Sequence, residues 1–284
     1  MRKWLLIILV VPFFLILLGI ILYQISKRIL YNRFKAETHD IFSSIGKEKS
    51  DIITEEHIKD LPEPVKKWLR ISNVIGKERV LSVRLKQKGV FKMKVDADWT
   101  PFTSEQYYTT KEPAFIWFAE LKMFKFIPII GRDIYFNGMG NMLVKLCGII
   151  KIADASGKEM NQGTMLRYLN ETMWFPSAVL SKYIQWEPID DNSAKATMSY
   201  KEISASAIFY FNEKGEFINF VAERYYDNDK TYKTWFTPVE KYGIVNGIKI
   251  PVSGGAHWKL ESGDFKYIQL EVTDIEYNNA LMFN

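Results

Sequence analysis

Residues 80–96 read VLSVRLKQKGVFKMKVD. Leu81, Val83 and Leu85 alternate with Ser82, Arg84 and Lys86, and Phe91, Met93 and Val95 alternate with Lys92, Lys94 and Asp96. A period of two sends successive side chains to opposite faces, so this stretch predicts half-buried antiparallel strands with lysines toward water. Lys88-Gly89, between the two runs, is read as their turn.

The same period recurs toward the C-terminus. AFIWFAEL at 114–121 is apolar on both faces, which predicts a fully buried strand or one lining a cavity. RDIYFNG and MGNMLVKL follow, separated at Gly138, and Ala155-Ser156-Gly157 reads as a turn. SAKATMSY at 193–200 alternates again, and residues 204–226 form a hairpin turning at Asn212-Glu213-Lys214-Gly215. In YGIVNGIKIPV, Asn246-Gly247 is the strongest hairpin signal, because both central positions of a type I′ turn need positive φ. A last hairpin turns at Ser262-Gly263-Asp264. About ten or eleven strands at this spacing predict a mainly β (α+β) fold, a curved antiparallel sheet or an incomplete β-barrel.

Helical signals interrupt the pattern. In TMLRYLNETMWFPSAVLS (164–181), Met165, Leu166, Leu169 and Met173 fall at helical spacing, and Pro176 should end or kink the helix. This helix is expected on the concave side of the sheet. Before the strands, Thr54 is placed to N-cap DIITEEHIKDL, and Pro64 lies near the start of a helix that has Val65, Trp68 and Leu69 on one face.

The N-terminal run WLLIILVVPFFLILLGIILY, Trp4 to Tyr23, holds no charged residue. About 20 apolar residues are needed to cross a bilayer as a helix. Trp4 and Tyr23 stand at its ends, where amphipathic rings favour the interface. The run is longer than a secretory h-region and leads into Gln24-Ile25-Ser26-Lys27-Arg28, with no A-x-A-like site, which predicts an uncleaved single-pass anchor. The chain is therefore divided into an anchor (1–26), a juxtamembrane helix and linker (27–50), and a β-rich soluble domain with short N-terminal helices (51–284). Lys27, Arg28, Arg33 and Lys35 after the run outnumber Arg2 and Lys3 before it, a count that favours a cytoplasmic domain. Long domains translocate largely regardless of nearby charge. Cys147 is the single cysteine, so no intramolecular disulfide forms.

The net charge of +5 gathers in no basic tract beyond the juxtamembrane cluster, whose partner is membrane lipid, and no nucleic-acid motif is present. His39, His57 and His257 stand apart without metal-ligand spacing, so neither a metal nor a cofactor is expected. Ser253-Gly254-Gly255 before His257 lacks a nucleophile elbow and is read as a strand connection. The densest patch is Arg167 to Pro176. Arg167, Glu171 and Trp174 recur at intervals of four and three, so they share a helical face. On strand 114–121, Phe115 and Trp117 share the other face of the same space. These five residues are the expected ligand-binding set, with Arg167 and Glu171 at the rim of an apolar cavity and no catalytic residue assigned. Arg224, Asp274 and Asp133 fit either a buried ion network or a solvated face.

Several stretches together carry a resemblance: LPEPVKKWLR, DADWTPFTSEQYY, AFIWFAEL, DIYFNGMGNMLVKL, ADASGKEMNQGTMLRYLNETMWFPSAVL, IQWEPID and VTDIEYNN. They resemble an uncharacterised prokaryotic family of membrane-anchored proteins, a domain of unknown function, which brings no reaction with it. The pattern of strands and helices is similar to the LolA/LolB lipoprotein carriers. That resemblance implies a half-barrel plugged by helices, with a cavity for acyl chains, on the extracytoplasmic side of a membrane. The sequence thus favours a tethered domain at the cell envelope binding an apolar or lipid-like ligand, such as a lipid or a lipoprotein acyl chain, over an enzyme. An envelope enzyme acting on membrane-derived substrates through Glu171, and an envelope-assembly protein, are the rival readings.

Overall fold

The computed structural model describes residues 2–46, 50–124 and 127–283; the side chains of residues 2–9, Trp4 among them, lie outside what is described. Fourteen strands form one antiparallel sheet among the described residues. In chain order they are β1 (Ser82–Phe91), β2 (Thr100–Thr109), β3 (Ala114–Met123), β4 (Ile127–Phe136), β5 (Met139–Leu146), β6 (Ile150–Ser156), β7 (Ile184–Asp190), β8 (Ser193–Tyr200), β9 (Ile203–Phe211), β10 (Phe217–Tyr226), β11 (Thr231–Phe236), β12 (Val239–Val245), β13 (Ile248–Leu260) and β14 (Gly263–Tyr277). In space the order is β6-β5-β4-β3-β2-β1-β14-β13-β11-β10-β9-β8-β7, with β12 paired to β13. Two meanders are thus joined through the C-terminal hairpin, and β14 lies against β1. Strands such as β2 and β7 exceed the expected count because they carry polar or charged residues on both faces and give no apolar alternation.

Helix α3, Lys158–Glu171 in the numbering of three α-helices, connects the edge strand β6 to the opposite edge β7. It touches β4 and β5 on one side and β9 and β10 on the other, strands far apart in the sheet order. The sheet must therefore curl around it, giving the expected half-barrel with a helix on its concave side. The α-helix ends at Glu171, short of Pro176, and two 3-10 turns, Thr172–Trp174 and Pro176–Leu180, complete the crossing. Pro176 opens the second turn, where its missing N–H removes no hydrogen bond.

The first helix, α1 (Arg2–Ser43), is one continuous element. It is long and apolar enough to cross a membrane, and from Val10 to Ile25 its large apolar side chains are exposed. Its second half packs on the outer face of the sheet, where Phe34 and Ile41 are fully buried with Tyr107, Ile116 and Phe118. Glu37 pairs there with Arg132 of β4 at 3.0 Å. The two-faced apolar strand 114–121 is explained by this arrangement: Ile116 and Phe118 meet α1, while Phe115, Trp117 and Ala119 face the inside. Helix α2 (Glu63–Ile71) buries Val65, Trp68 and Leu69 as expected, with the Trp68 ring 5.7 Å from Phe211 and 5.8 Å from Phe217. Thr54 caps only a 3-10 turn, Glu55–Ile58.

Asn246 and Gly247 both have positive φ (51° and 73°), and Val245 pairs with Ile248, so the two-residue hairpin forms as expected. Ser253 to His257 lie within β13. The turn assigned to Lys88-Gly89 does not exist. β1 runs straight through Gly89, which pairs with Phe102 on one side and Leu270 on the other. A Cβ there would lie 2.1 Å from the Gln269 carbonyl oxygen, so the glycine serves close backbone approach by β14. We expect Gly89→Ala to lower stability by roughly 1–3 kcal/mol through overpacking, read as an earlier unfolding midpoint. An unchanged midpoint contradicts this account of the β1–β14 seam.

Candidate functional site

α3 does not fill the trough it crosses. Beside it lies a cavity of about 530 Å³, walled by Phe91, Trp117, Leu121, Ile129, Trp235 and Trp258. These side chains reach one space because β1, β3, β4, β11 and β13 each turn alternate residues inward. The Trp117 Nε1–H donates to Gln87 Oε1 at 3.1 Å, and the Trp235 Nε1–H donates to the Tyr267 hydroxyl at 3.0 Å. With their N–H groups satisfied, both indoles offer the cavity apolar surface.

One polar cluster is set into this wall. Arg167 Nη1 donates to Asp133 Oδ2 at 2.6 Å, and Arg167 Nε donates to Glu171 Oε1 at 2.8 Å. Gln106 Nε2 and the Tyr108 hydroxyl donate to Glu171 Oε2 at 2.9 and 3.0 Å. The guanidinium lies over two rings of β3, 4.9 Å from the Phe115 centroid and 5.0 Å from that of Trp117. Burial pushes the carboxyls of Asp133 and Glu171 upward, and Arg167 pulls both back without fully cancelling the shift. Burial also works against the Arg167 charge, but Glu171 and Asp133 more than offset it and hold its pKa above the ordinary value.

Two further polar side chains lie at the cavity wall. Gln87 is buried, and its Oε1 accepts from Ser104 and Trp117, but its Nε2 has no acceptor among the described residues. Arg224 also lines the cavity. Its Cζ sits 4.7 Å from the Trp235 ring and 5.8 Å from the Trp258 ring, and no carboxylate lies within salt-bridge distance among the described residues.

Of the five residues expected from sequence, Trp117, Arg167, Glu171 and Trp174 are on the cavity wall. Phe115 is buried beneath Arg167, between the rings of Tyr108 and Tyr135. Trp174 lies beyond the end of α3, in the 3-10 turn, and its carbonyl accepts from the Tyr277 hydroxyl at 2.7 Å. The rim position expected for Glu171 needs correction, whereas Arg167 is half-buried on the cavity wall. Glu171 is only 5% exposed, because the helix face carrying it is pressed against β2 and β4 rather than held at an open edge. Asp133 joins the buried network, Arg224 joins the cavity, and Asp274 faces water. Gln106, Tyr108 and Gln87 were missed. The one signal for Gln106 and Tyr108 is the every-second-residue series Ser104, Gln106, Tyr108 on a strand with little apolar character; Gln87, on β1, carried none.

A family model described as a family of unknown function matches residues 51–270. The chain belongs to that family, DUF6544. No curated protein matches the sequence. Among solved structures, the chain is similar to a putative outer membrane lipoprotein-sorting protein domain from Vibrio parahaemolyticus, at 6% identity over 71% of this chain and 87% of that one, TM-score 0.38. It is also similar to a DUF1329 family protein from Desulfovibrio piger ATCC 29098, at 11% identity over 78% and 95%, TM-score 0.43. A third is the β-barrel-like DUF1849 protein from Brucella abortus, at 10% identity over 71% and 99%, TM-score 0.27.

The buried network makes two measurable demands on this DUF6544 chain. Arg167→Ala leaves Glu171 buried and Asp133 half-buried without their cation, and losing one side of a buried pair costs about 3–5 kcal/mol, so the unfolding midpoint should fall sharply. A loss of about 0–1 kcal/mol, typical of surface pairs, contradicts the buried assignment. The pH dependence carries a sign. A carboxyl whose folded pKa is raised contributes stability that is full below the ordinary carboxylate range and is lost as pH rises through the folded value. Relative to Glu171→Gln, the wild type should therefore lose midpoint as pH climbs from acid to neutral; parallel pH curves for the two proteins contradict it.

Proposed function

We propose that this chain is a membrane-tethered receptor that holds an amphiphilic, lipid-like molecule in the trough beside α3. The observation that carries the reading is the cavity itself: about 530 Å³ of mostly apolar space in a core otherwise packed with aromatic rings. Protein interiors close at near-crystalline density, and ligand pockets fall at about 300–1,000 Å³ with few polar groups. The Arg224 guanidinium on the cavity wall is a donor without a carboxylate partner among the described residues, which suits the ester, carboxyl or phosphate oxygens at the polar end of an amphiphile. Asp133 and Glu171 are both committed to Arg167, which favours binding over general acid–base chemistry. The apolar helix α1 supports a membrane location. The reading takes the domain to be extracytoplasmic, as the carrier resemblance implies, and activity of a cytoplasmic reporter alone, fused at the C-terminus, contradicts that side.

The test is native mass spectrometry of the full chain released from its host membranes. A one-to-one lipid adduct is expected. Ala153→Trp, which fills the cavity from β6, should keep the fold and lose the adduct. Arg224→Gln should weaken retention roughly tenfold or more, since a charge-assisted hydrogen bond contributes about 1.5–3 kcal/mol. A wild-type protein without adduct, or a filled cavity that retains it, overturns the reading.

A further inference from the structure

Helix α1 fixes where the membrane lies relative to the sheet. Its contacts step along β3 in reverse order. Lys27 pairs with Glu120 at 2.7 Å, the rings of Tyr31 and Phe34 pack against Phe118, and Phe34 and Ile41 reach the cluster that holds Ile116 and Ala114. The helix therefore runs antiparallel to β3, and its apolar N-terminal run projects past the C-terminal end of that strand. The Ser26 hydroxyl donates to the Gly148 carbonyl in the β5–β6 turn. Ser26 is three residues beyond Tyr23, the aromatic end of the run Trp4 to Tyr23, a rise of about 4.5 Å along a helix. The β5–β6 turn is thus held within about one helical turn of the point where α1 leaves the hydrocarbon.

In an antiparallel meander alternate turns share one end. The β1–β2 loop (92–99), the β3–β4 turn and the β5–β6 turn therefore all lie at this end. Each exposes large apolar side chains: Met93, Val95 and Trp99 on the first, Phe124 on the second, Ile149 and Ile150 on the third. Lysines stand among them. Lys92 lies over the Trp99 ring at 5.1 Å, and Lys94, Lys145 and Lys151 flank the same turns. Aromatic and aliphatic tips beside lysine heads match the depth profile of a membrane interface, apolar groups below and ammonium groups at the phosphates.

The cavity sits in the same half of the trough. From the first meander it is lined by Phe91 and Met93 at the end of β1, Leu121 near the end of β3, Ile129 near the start of β4, and Ile152 near the start of β6. The opposite half holds Phe115, Tyr135 and Tyr168 in solid contact.

We infer that these three turns dock on the bilayer that α1 spans, so that the mouth of the cavity opens onto lipid and its occupant passes between bilayer and trough without crossing water. The inference rests on the reading of α1 as an anchor and of the cavity as a lipid site. The partner is a bilayer containing anionic phospholipid.

The test uses the full chain in phosphatidylcholine–phosphatidylglycerol vesicles. Cys147 is the single cysteine, so a Cys147→Ser background accepts one fluorophore at a chosen site. Ile150→Cys marks the membrane end, at 61% exposure, and Met139→Cys marks the far end of β5, at 64%. A label at 150 should be quenched several-fold more by lipid-borne nitroxide, and less by aqueous iodide, than a label at 139. Equal quenching at the two sites by both agents overturns the inference. Should Ile150→Cys fail to fold, Trp99→Cys carries the same expectation. The readout is lipid contact at the rim, independent of cavity contents. A quenched label with no lipid adduct sinks the receptor reading and leaves the docking surface, and an adduct with equal quenching does the reverse.

Discussion

Arg167 reaches from α3 to the sheet and is met there by Asp133 of β4, while Glu171 of its own helix is held by Gln106 and Tyr108 of β2. The crossing helix is thereby fixed at a set distance from the inner wall. An apolar helix face would be free to settle into the trough until rings met rings, as happens at the far end around Phe115, Tyr135 and Tyr168. A polar tie resists that settling. Its hydrogen bonds are directional, and its charges, once desolvated, are costly to separate. The cavity begins where this tie ends.

The sheet carries different loads on its two faces, and β3 bears both. Its outward residues Ile116 and Phe118 seat α1, and its inward residues Phe115 and Trp117 stack on the Arg167 guanidinium. Helix α1 and the cavity are thus one residue apart along the chain and back to back across a single strand. Arg132 and Asp133 repeat the arrangement on β4: Arg132 turns outward to Glu37 of α1, and Asp133 turns inward to Arg167. A displacement of α1 bears directly on the wall that holds the polar tie.

Much of this was legible in the sequence because it is local. The Asn246-Gly247 hairpin follows from φ alone, the apolar face of α2 from helical spacing, and the two-faced strand 114–121 from its missing polar alternation. What was not legible depends on neighbours distant in the chain. Gly89 looks like a turn until β14, some 180 residues later, is laid against it. β2 was passed over because its inward residues, Ser104, Gln106 and Tyr108, are polar in order to serve Gln87 and Glu171. Arg167 and Glu171 were recognised as a pair from their spacing of four. Spacing fixes which face they share, whereas their depth depends on what that face meets. Asp133 and Arg224 belonged to the same ambiguity, and only the curl of the sheet turns both inward.

The central claim is that the trough beside α3 is a site for an amphiphile. The most direct measurement is an experimental density map of the full chain taken from its own membranes without added lipid. The account predicts elongated density along Trp117 and Trp235, with its polar end within hydrogen-bond distance of Arg224. A trough collapsed onto its own side chains, or occupied by scattered water alone, would contradict it.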